Sequence, residues 1–348
     1  MSKTGFDPAD ASLDEIRALF RELPGPDLEA ATATAEREAQ LTKPRGSLGR
    51  LEELASWLAT WQGRHPPEMR HPRTAVFAAN HGVAARGVSA YPAEVTEQMV
   101  QNFIAGGAAV NQLCQAFDAD LRVYEMALDQ PTQDFTQGPA MDEGACARAM
   151  AYGMMAVEPN LDVLCLGEMG IANTTSAAAL ACALFGGEVS DWVGRGTGVT
   201  GDALARKTDV VAEGVAKHAH LTDPLEKLAA LGGLELAAIA GAVMAARLAR
   251  TPVVLDGFAC TVAAAVLWKV DPKALDHCIV AHRSVEPGHA KLLQIIDKEP
   301  LFDFGMRLGE GSGATLAIGI LKAAAECHAG MATFASAGVS TAASSKPH

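Results

Sequence analysis

Residues 161–180 read LDVLCLGEMGIANTTSAAAL. The first eight are almost wholly apolar and end in a glycine and a carboxylate. Glycine, asparagine and threonine follow, and then alanine takes over. A short apolar run that stops at glycine fits a strand buried on both faces, and the alanine-rich run fits a helix. A strand followed at once by a helix is half of a crossover unit of a parallel sheet.

Similar short, β-prone runs recur on either side. They are RTAVFAAN (73–80), ADLRVYEMAL (119–128), EVSDWVG (188–194), TPVVLDGF (251–258) and DHCIVAHRS (276–284). Alanine-rich helical segments separate most of them. The alternation predicts an α/β fold: a doubly wound, mostly parallel sheet of about six strands over 71–314. Residues 12–65 read as helices. SLDEIRALFREL opens with a serine N-cap and an acidic first turn, and GSLGRLEELASWLATWQ has leucine and tryptophan at helical spacing. Residues 1–70 and 315–335 are expected to form a small helical domain, and 336–348 a disordered, low-complexity tail.

The chain has 348 residues and a formal net charge of −13, with 49% hydrophobic, 20% charged and only 5% aromatic residues. Few aromatics and much alanine favour closely packed helices. An acidic chain lacks the electrostatic footprint of a nucleic-acid or anionic-membrane binder. The apolar stretch 234–249 carries Glu235 and Arg247 and is too short to span a bilayer. The polar start reads as no signal peptide, and the seven cysteines form no CxxC pair. Reduced, buried thiols in a cytoplasmic protein are expected.

In an open parallel sheet, ligands bind beyond the carboxyl ends of the strands. That rule selects NHGVAARGVSAYP, GEMGIANTT, GRGTGVTGD, DGFAC and HRSVEPGHAK. In the second, Gly170 permits a tight turn, and Asn173, Thr174 and Thr175 open a helix whose N-terminal N–H groups suit a phosphate. Plain helix capping explains the same residues. Gly196, Gly198 and Gly201 make a formal GxGxxG, which invites a dinucleotide and a nicotinamide-dependent oxidoreductase. The acidic strand end expected about 20 residues on is missing, so a second glycine loop facing the same ligand is the better reading. Lys207 follows it as a phosphate partner or a surface lysine. His282, Glu286 and His289 resemble metal ligands, but Pro287 and Gly288 break the spacing, so no metal is expected. Ser284 is a phosphate or ribose contact, and His81 a structural histidine. In RLGEGSGATLAIGIL (307–321), Glu310 sits between glycines just before a helix.

Five segments in order, LTKPRGSLGRLEELA, NHGV with GVSAYPAEVT, GEMGIANTT, LDGF and MRLGEGSGA, resemble the nicotinate-nucleotide:dimethylbenzimidazole phosphoribosyltransferase family over about residues 35–325. The resemblance implies that the sheet is Rossmann-like, and it implies transfer of the phosphoribosyl group of nicotinate mononucleotide to 5,6-dimethylbenzimidazole by a homodimer that needs no cofactor or metal. It implies Glu310 as catalytic base and Glu168 as a second active-site glutamate. Gly170, Asn173, Thr174, Thr175, Gly196, Lys207 and Ser284 would hold phosphate and ribose. Tyr91, Gln98, Met169 and Leu308 would contact the base. A nucleotide-binding protein without catalysis is the remaining alternative.

Overall fold

The computed structural model describes residues 11–340. It holds one sheet of six parallel strands: β1 Pro72–Ala78, β2 Asp120–Glu125, β3 Val163–Met169, β4 Val253–Leu255, β5 Cys278–His282 and β6 Pro300–Phe302. Their order is β2-β1-β3-β4-β5-β6, and every neighbouring pair is parallel. The chain moves outward from β1 to β2, then crosses back to lay β3 on the other side of β1. The order therefore reverses between β1 and β3, which is where such sheets open a crevice.

All seven residues of β1 and all three of β4 are buried, so helices cover both faces. In β1, Ala75 and Phe77 belong to one core, while Val76 and Ala78 belong to the other. That is the period-two alternation of a strand between two layers. On the first face the helices Glu143–Met154 and Leu234–Leu248 meet backbone to backbone. A Cβ at Gly153 would fall 1.9 Å from the Ala238 carbonyl oxygen, and one at Gly241 would fall 1.9 Å from that of Met150. Small residues make this approach possible.

Two expectations about strands fail. Residues 188–194 form a 3₁₀ turn, Val189–Asp191, not a strand. The Asp191 carboxylate accepts the Glu188 N–H at 3.2 Å and closes the turn locally. Trp192 then enters the core, its indole N–H donating to the Gly186 carbonyl at 2.8 Å. The sixth strand is instead Pro300–Phe302, a three-residue edge strand that begins with proline, as an edge tolerates.

The chain divides into two compact units. The larger takes residues 11–24 and His71–Ala317, and the smaller Gly25–Arg70 and residues 318–340. Helix Leu13–Leu19, capped by Ser12, goes with the larger unit and not with the helical one. Its Ile16 is fully buried, and Arg17 pairs with Asp223 at 3.1 Å. In the smaller unit Lys43 bridges Glu38 and Glu52 at 2.7 and 2.6 Å, which gives the KPRGSLGRLE segment a structural centre. Phe334–Ala337 is a short helix, so part of the expected tail is ordered. Its remainder, from residue 341, and the start of the N-terminus lie outside the described residues. Among the described residues no helix is long and apolar enough to cross a membrane.

Candidate active site

A cavity of about 810 Å³ opens at the carboxyl ends of the strands in the larger unit. That volume suits a nucleotide and a small aromatic ring together. Glu310 lies in its wall, 6% exposed. Its backbone is left-handed, with φ of 61°, between Gly309 at 81° and Gly311 at 72°. Such a φ is strained for a residue with a side chain and costs about 1–2 kcal/mol. The loop is held there by its neighbours. The Glu310 N–H donates to the Glu168 carbonyl at 3.2 Å, and the Ser312 hydroxyl to the Gly309 carbonyl at 2.7 Å. A Cβ at Gly167 would lie 2.3 Å from the Gly311 nitrogen, and one at Gly309 would lie 2.5 Å from Glu168 Oε1. Glycine at 167 and 309 is what lets the loop lie against β3 and its carboxylate.

The helix after this loop, Ser312–Gly330, does not offer its first N–H groups to Glu310. The Ser312 N–H goes to the Gly309 carbonyl at 3.0 Å, and Asp256, fully buried just after β4, takes two more N–H groups around the helix start: Oδ2 accepts from Gly311 at 3.2 Å and Oδ1 from Ala314 at 2.9 Å. Loss of water, and after it the nearby Asp256 charge, raise the Glu310 carboxyl to about 7. Glu168 is also pushed well above the usual carboxylate range, mainly by loss of water. The surrounding charges of Asp256, Glu235 and Glu310 add to this, while the Asn173 amide, which donates to Glu168 Oε2, opposes it.

The phosphate-type loop follows β3. Helix Asn173–Phe185 starts here, yet neither Asn173 nor Thr174 caps it. Its N-cap is Ala172, itself left-handed at 75°. Asn173 is bound to Glu168, and Thr174 Oγ1 accepts from Lys207 Nζ at 2.8 Å. Plain capping is thus excluded. Gly170 is needed for close approach, since a Cβ there would lie 2.8 Å from the Ala79 carbonyl oxygen. Lys207 is no surface lysine. It is 1% exposed, donates also to the Gly194 carbonyl at 3.1 Å, and is lowered to about 8 by burial. Gly196 is left-handed at 48°, and a Cβ there would fall 2.5 Å from Thr174 Oγ1 and 3.0 Å from Lys207 Nζ. The second glycine loop therefore faces the first. No strand precedes it, so its GxGxxG has lost the context of a dinucleotide fingerprint.

Of the residues expected from sequence, the pocket wall contains Glu168, Glu310, Gly170, Asn173, Thr174, Gly196, Ser284, Tyr91, Met169 and Leu308. Lys207 stands just behind Thr174. Thr175 is fully buried and does not line the pocket. Gln98 is exposed and also outside it. On helix Val95–Ile104 the lining stripe is Val95, Met99 and Asn102, at i, i+4 and i+7, and Gln98 stands at its edge. His81 is structural: Nε2 meets Glu235 at 2.7 Å and Nδ1 meets Ser176 at 3.0 Å, partners on two helices outside its own loop. His289 has both nitrogens engaged, one by the Ser284 N–H at 2.9 Å and one by the Thr261 hydroxyl at 3.0 Å. Burial drives it down to about 3, so the ring is neutral. Among the described residues no three side chains of histidine, cysteine, aspartate or glutamate gather to hold a metal.

Sequence reasoning missed Asp256, and it weighed His282 and Glu286 only as metal ligands, although both line the pocket. Asp256 ends a strand, and His282, Ser284 and Glu286 leave β5 at intervals of two. The strand-end rule combined with that spacing would have found them.

A family model described as phosphoribosyltransferase matches residues 23–339. The chain is 58% identical over 328 residues to proteins named nicotinate-nucleotide–dimethylbenzimidazole phosphoribosyltransferase from Brucella anthropi and Brucella canis, covering 94% of this chain and 97% of each relative. Among solved structures it is similar to CobT from Thermus thermophilus, with a TM-score of 0.84 and 43% identity over 90% of this chain and 100% of that one.

Proposed function

The chain belongs to the nicotinate-nucleotide–dimethylbenzimidazole phosphoribosyltransferase family, and we propose that Glu310 is the base of its reaction. The enzyme transfers the phosphoribosyl group of nicotinate mononucleotide to 5,6-dimethylbenzimidazole. The products are α-ribazole 5′-phosphate and nicotinate, in the lower-ligand branch of cobalamin biosynthesis. In the donor, ribose C1′ is bonded to a pyridinium nitrogen. When that bond breaks, its electron pair returns to the ring nitrogen and nicotinate leaves without needing a proton there. One benzimidazole nitrogen bonds to C1′, and the other must lose its hydrogen as a proton. One base is therefore required, in contrast to the paired carboxylates that flank a glycosidic bond in most glycosidases.

The observation that carries this reading is the placement of Glu310. It is a nearly buried carboxylate in the pocket wall, fixed by a left-handed loop and held near 7. A base balanced near neutral pH is ionised often enough to accept a proton and basic enough to keep it. Glu168 lies beside the Glu310 loop and holds Asn173; we assign it to the ribose or to charge developing at C1′. The Gly170–Thr174 and Gly196 loops, with Lys207 behind them and Ser284 linked to the Gly196 loop through Glu286, hold the phosphate. Met169, Val95, Met99, Tyr91 and Leu308 supply an apolar wall for the aromatic ring. Tyr91 and Leu308 are 55% and 56% exposed there, which supports a second copy covering the mouth, and with it the homodimer.

The test is direct. Purified protein is mixed with nicotinate mononucleotide and dimethylbenzimidazole, and the mixture is separated by chromatography. α-Ribazole phosphate and nicotinate in equal amounts are expected. Donor binding without nicotinate release would leave a nucleotide-binding protein and overturn the assignment.

A further inference from the structure

Extended backbone sends alternate side chains to one face, and at the end of β5 this brings His282, Ser284 and Glu286 to the pocket wall. Ser284 Oγ accepts the Glu286 N–H at 3.3 Å, and Glu286 Oε1 accepts the Gly196 N–H at 2.8 Å. His282 has no comparable partner. It is 1% exposed, and neither ring nitrogen makes a hydrogen bond among the described residues. A buried polar group left without a partner is costly, so each one calls for an explanation.

The ring is nevertheless held in one place. Phe302 stacks on it with centroids 6.0 Å apart and planes at 18°, and His289 meets it edge-on at 6.5 Å. Nε2 lies 3.5 Å from Asp256 Oδ1, on a carboxylate whose two oxygens already take backbone N–H groups of the Glu310 loop and its helix. Glycine makes room for the ring, since a Cβ at Gly313 would fall 2.1 Å from His282 Cδ2.

We propose that His282 binds a ribose hydroxyl of the nucleotide donor through Nδ1. This rests on the function given above and deepens it. The Asp256 carboxylate favours the tautomer with its hydrogen on Nε2, which leaves Nδ1 as an acceptor. A sugar hydroxyl donates to such a nitrogen. With both nitrogens protonated, the same hydroxyl would accept from Nδ1, so it fits either state. The carboxylate of nicotinate fits only the second. Position agrees: Ser284, two residues on, belongs to the phosphate side, and Asp256 adjoins the Glu310 loop. In the donor the ribose lies between phosphate and leaving ring.

The experiment compares nicotinate mononucleotide with its 2′-deoxy and 3′-deoxy analogues, and with nicotinamide mononucleotide, at saturating dimethylbenzimidazole. It uses the wild type, His282→Ala and His282→Asn. Wild-type turnover of the full donor is the control, and its absence would sink the assigned reaction instead of this inference. The wild type should lose about 10- to 100-fold in kcat/KM with one deoxy donor. His282→Ala should lose a similar factor with the full donor and no longer tell it from that deoxy donor. His282→Asn places an amide where Nδ1 stands and should restore part of the discrimination, which also covers the case of an alanine variant that folds poorly. The KM for dimethylbenzimidazole should not move. An equal deoxy penalty in all three proteins would overturn the proposal, as would a loss that follows the change from nicotinate to nicotinamide.

Discussion

Asp256 Oδ2 accepts the N–H of Gly311, the residue after Glu310, at 3.2 Å. One buried carboxylate therefore both fixes the loop that carries the proposed base and places a negative charge near it. These two effects can be separated. In Asp256→Asn the charge is gone, so Glu310 should fall back toward the ordinary carboxylate range. The acid limb of the kcat/KM profile should move to lower pH. One amide hydrogen would then face a backbone N–H, leaving a donor unmatched at a cost of about 1–3 kcal/mol. Thermal unfolding together with the pH profile checks both, and an acid limb that stays in place would contradict the charge effect.

The same profile should be bell-shaped and narrow. Activity requires Glu310 ionised, so kcat/KM should rise through about 7. It also benefits from a charged Lys207, whose burial brings it down to about 8, so kcat/KM should fall above that pH as the lysine loses its proton. Lys207→Met should weaken donor use and remove the alkaline limb. An alkaline limb unchanged in that variant would mean that Lys207 does not serve the phosphate.

Gly167 sits inside β3 with the Gly311 nitrogen where its Cβ would be, at 2.3 Å. Gly167→Ala must push the Glu310 loop off the strand. Overpacking of this kind costs about 1–3 kcal/mol, and it should lower kcat by more than it raises the donor's KM. Steady-state kinetics with a melting curve would show it. Normal kcat in a destabilised protein would mean that the loop's seat on β3 does not set the position of the base.

The sheet was legible because β1, β3 and β4 are nearly continuous apolar runs, which is what burial on both faces demands. The two strand errors have different causes. Pro300–Phe302 is a three-residue, half-buried edge strand that begins with proline and so carries too little pattern, and at 188–194 a side-chain bond from Asp191 to nearby backbone outweighed β-prone composition. At the site, the strand-end rule located Glu168, Gly170, Asn173, Thr174 and Ser284. It could not settle rotation within a helix, where one residue turns by about 100°. That is why Thr175 and Gln98 miss the pocket. Nor could it reveal that Asp256 holds a loop 55 positions away, because that pairing exists only in three dimensions.

The most direct measurement concerns Glu310 itself. Glu310→Gln keeps the shape of the side chain and removes its ability to take a proton. With nicotinate mononucleotide and dimethylbenzimidazole, turnover should fall by about 10²- to 10⁴-fold, while the donor's binding constant stays close to that of the wild type. Turnover near the wild-type rate in that variant would contradict the assignment of Glu310 as base.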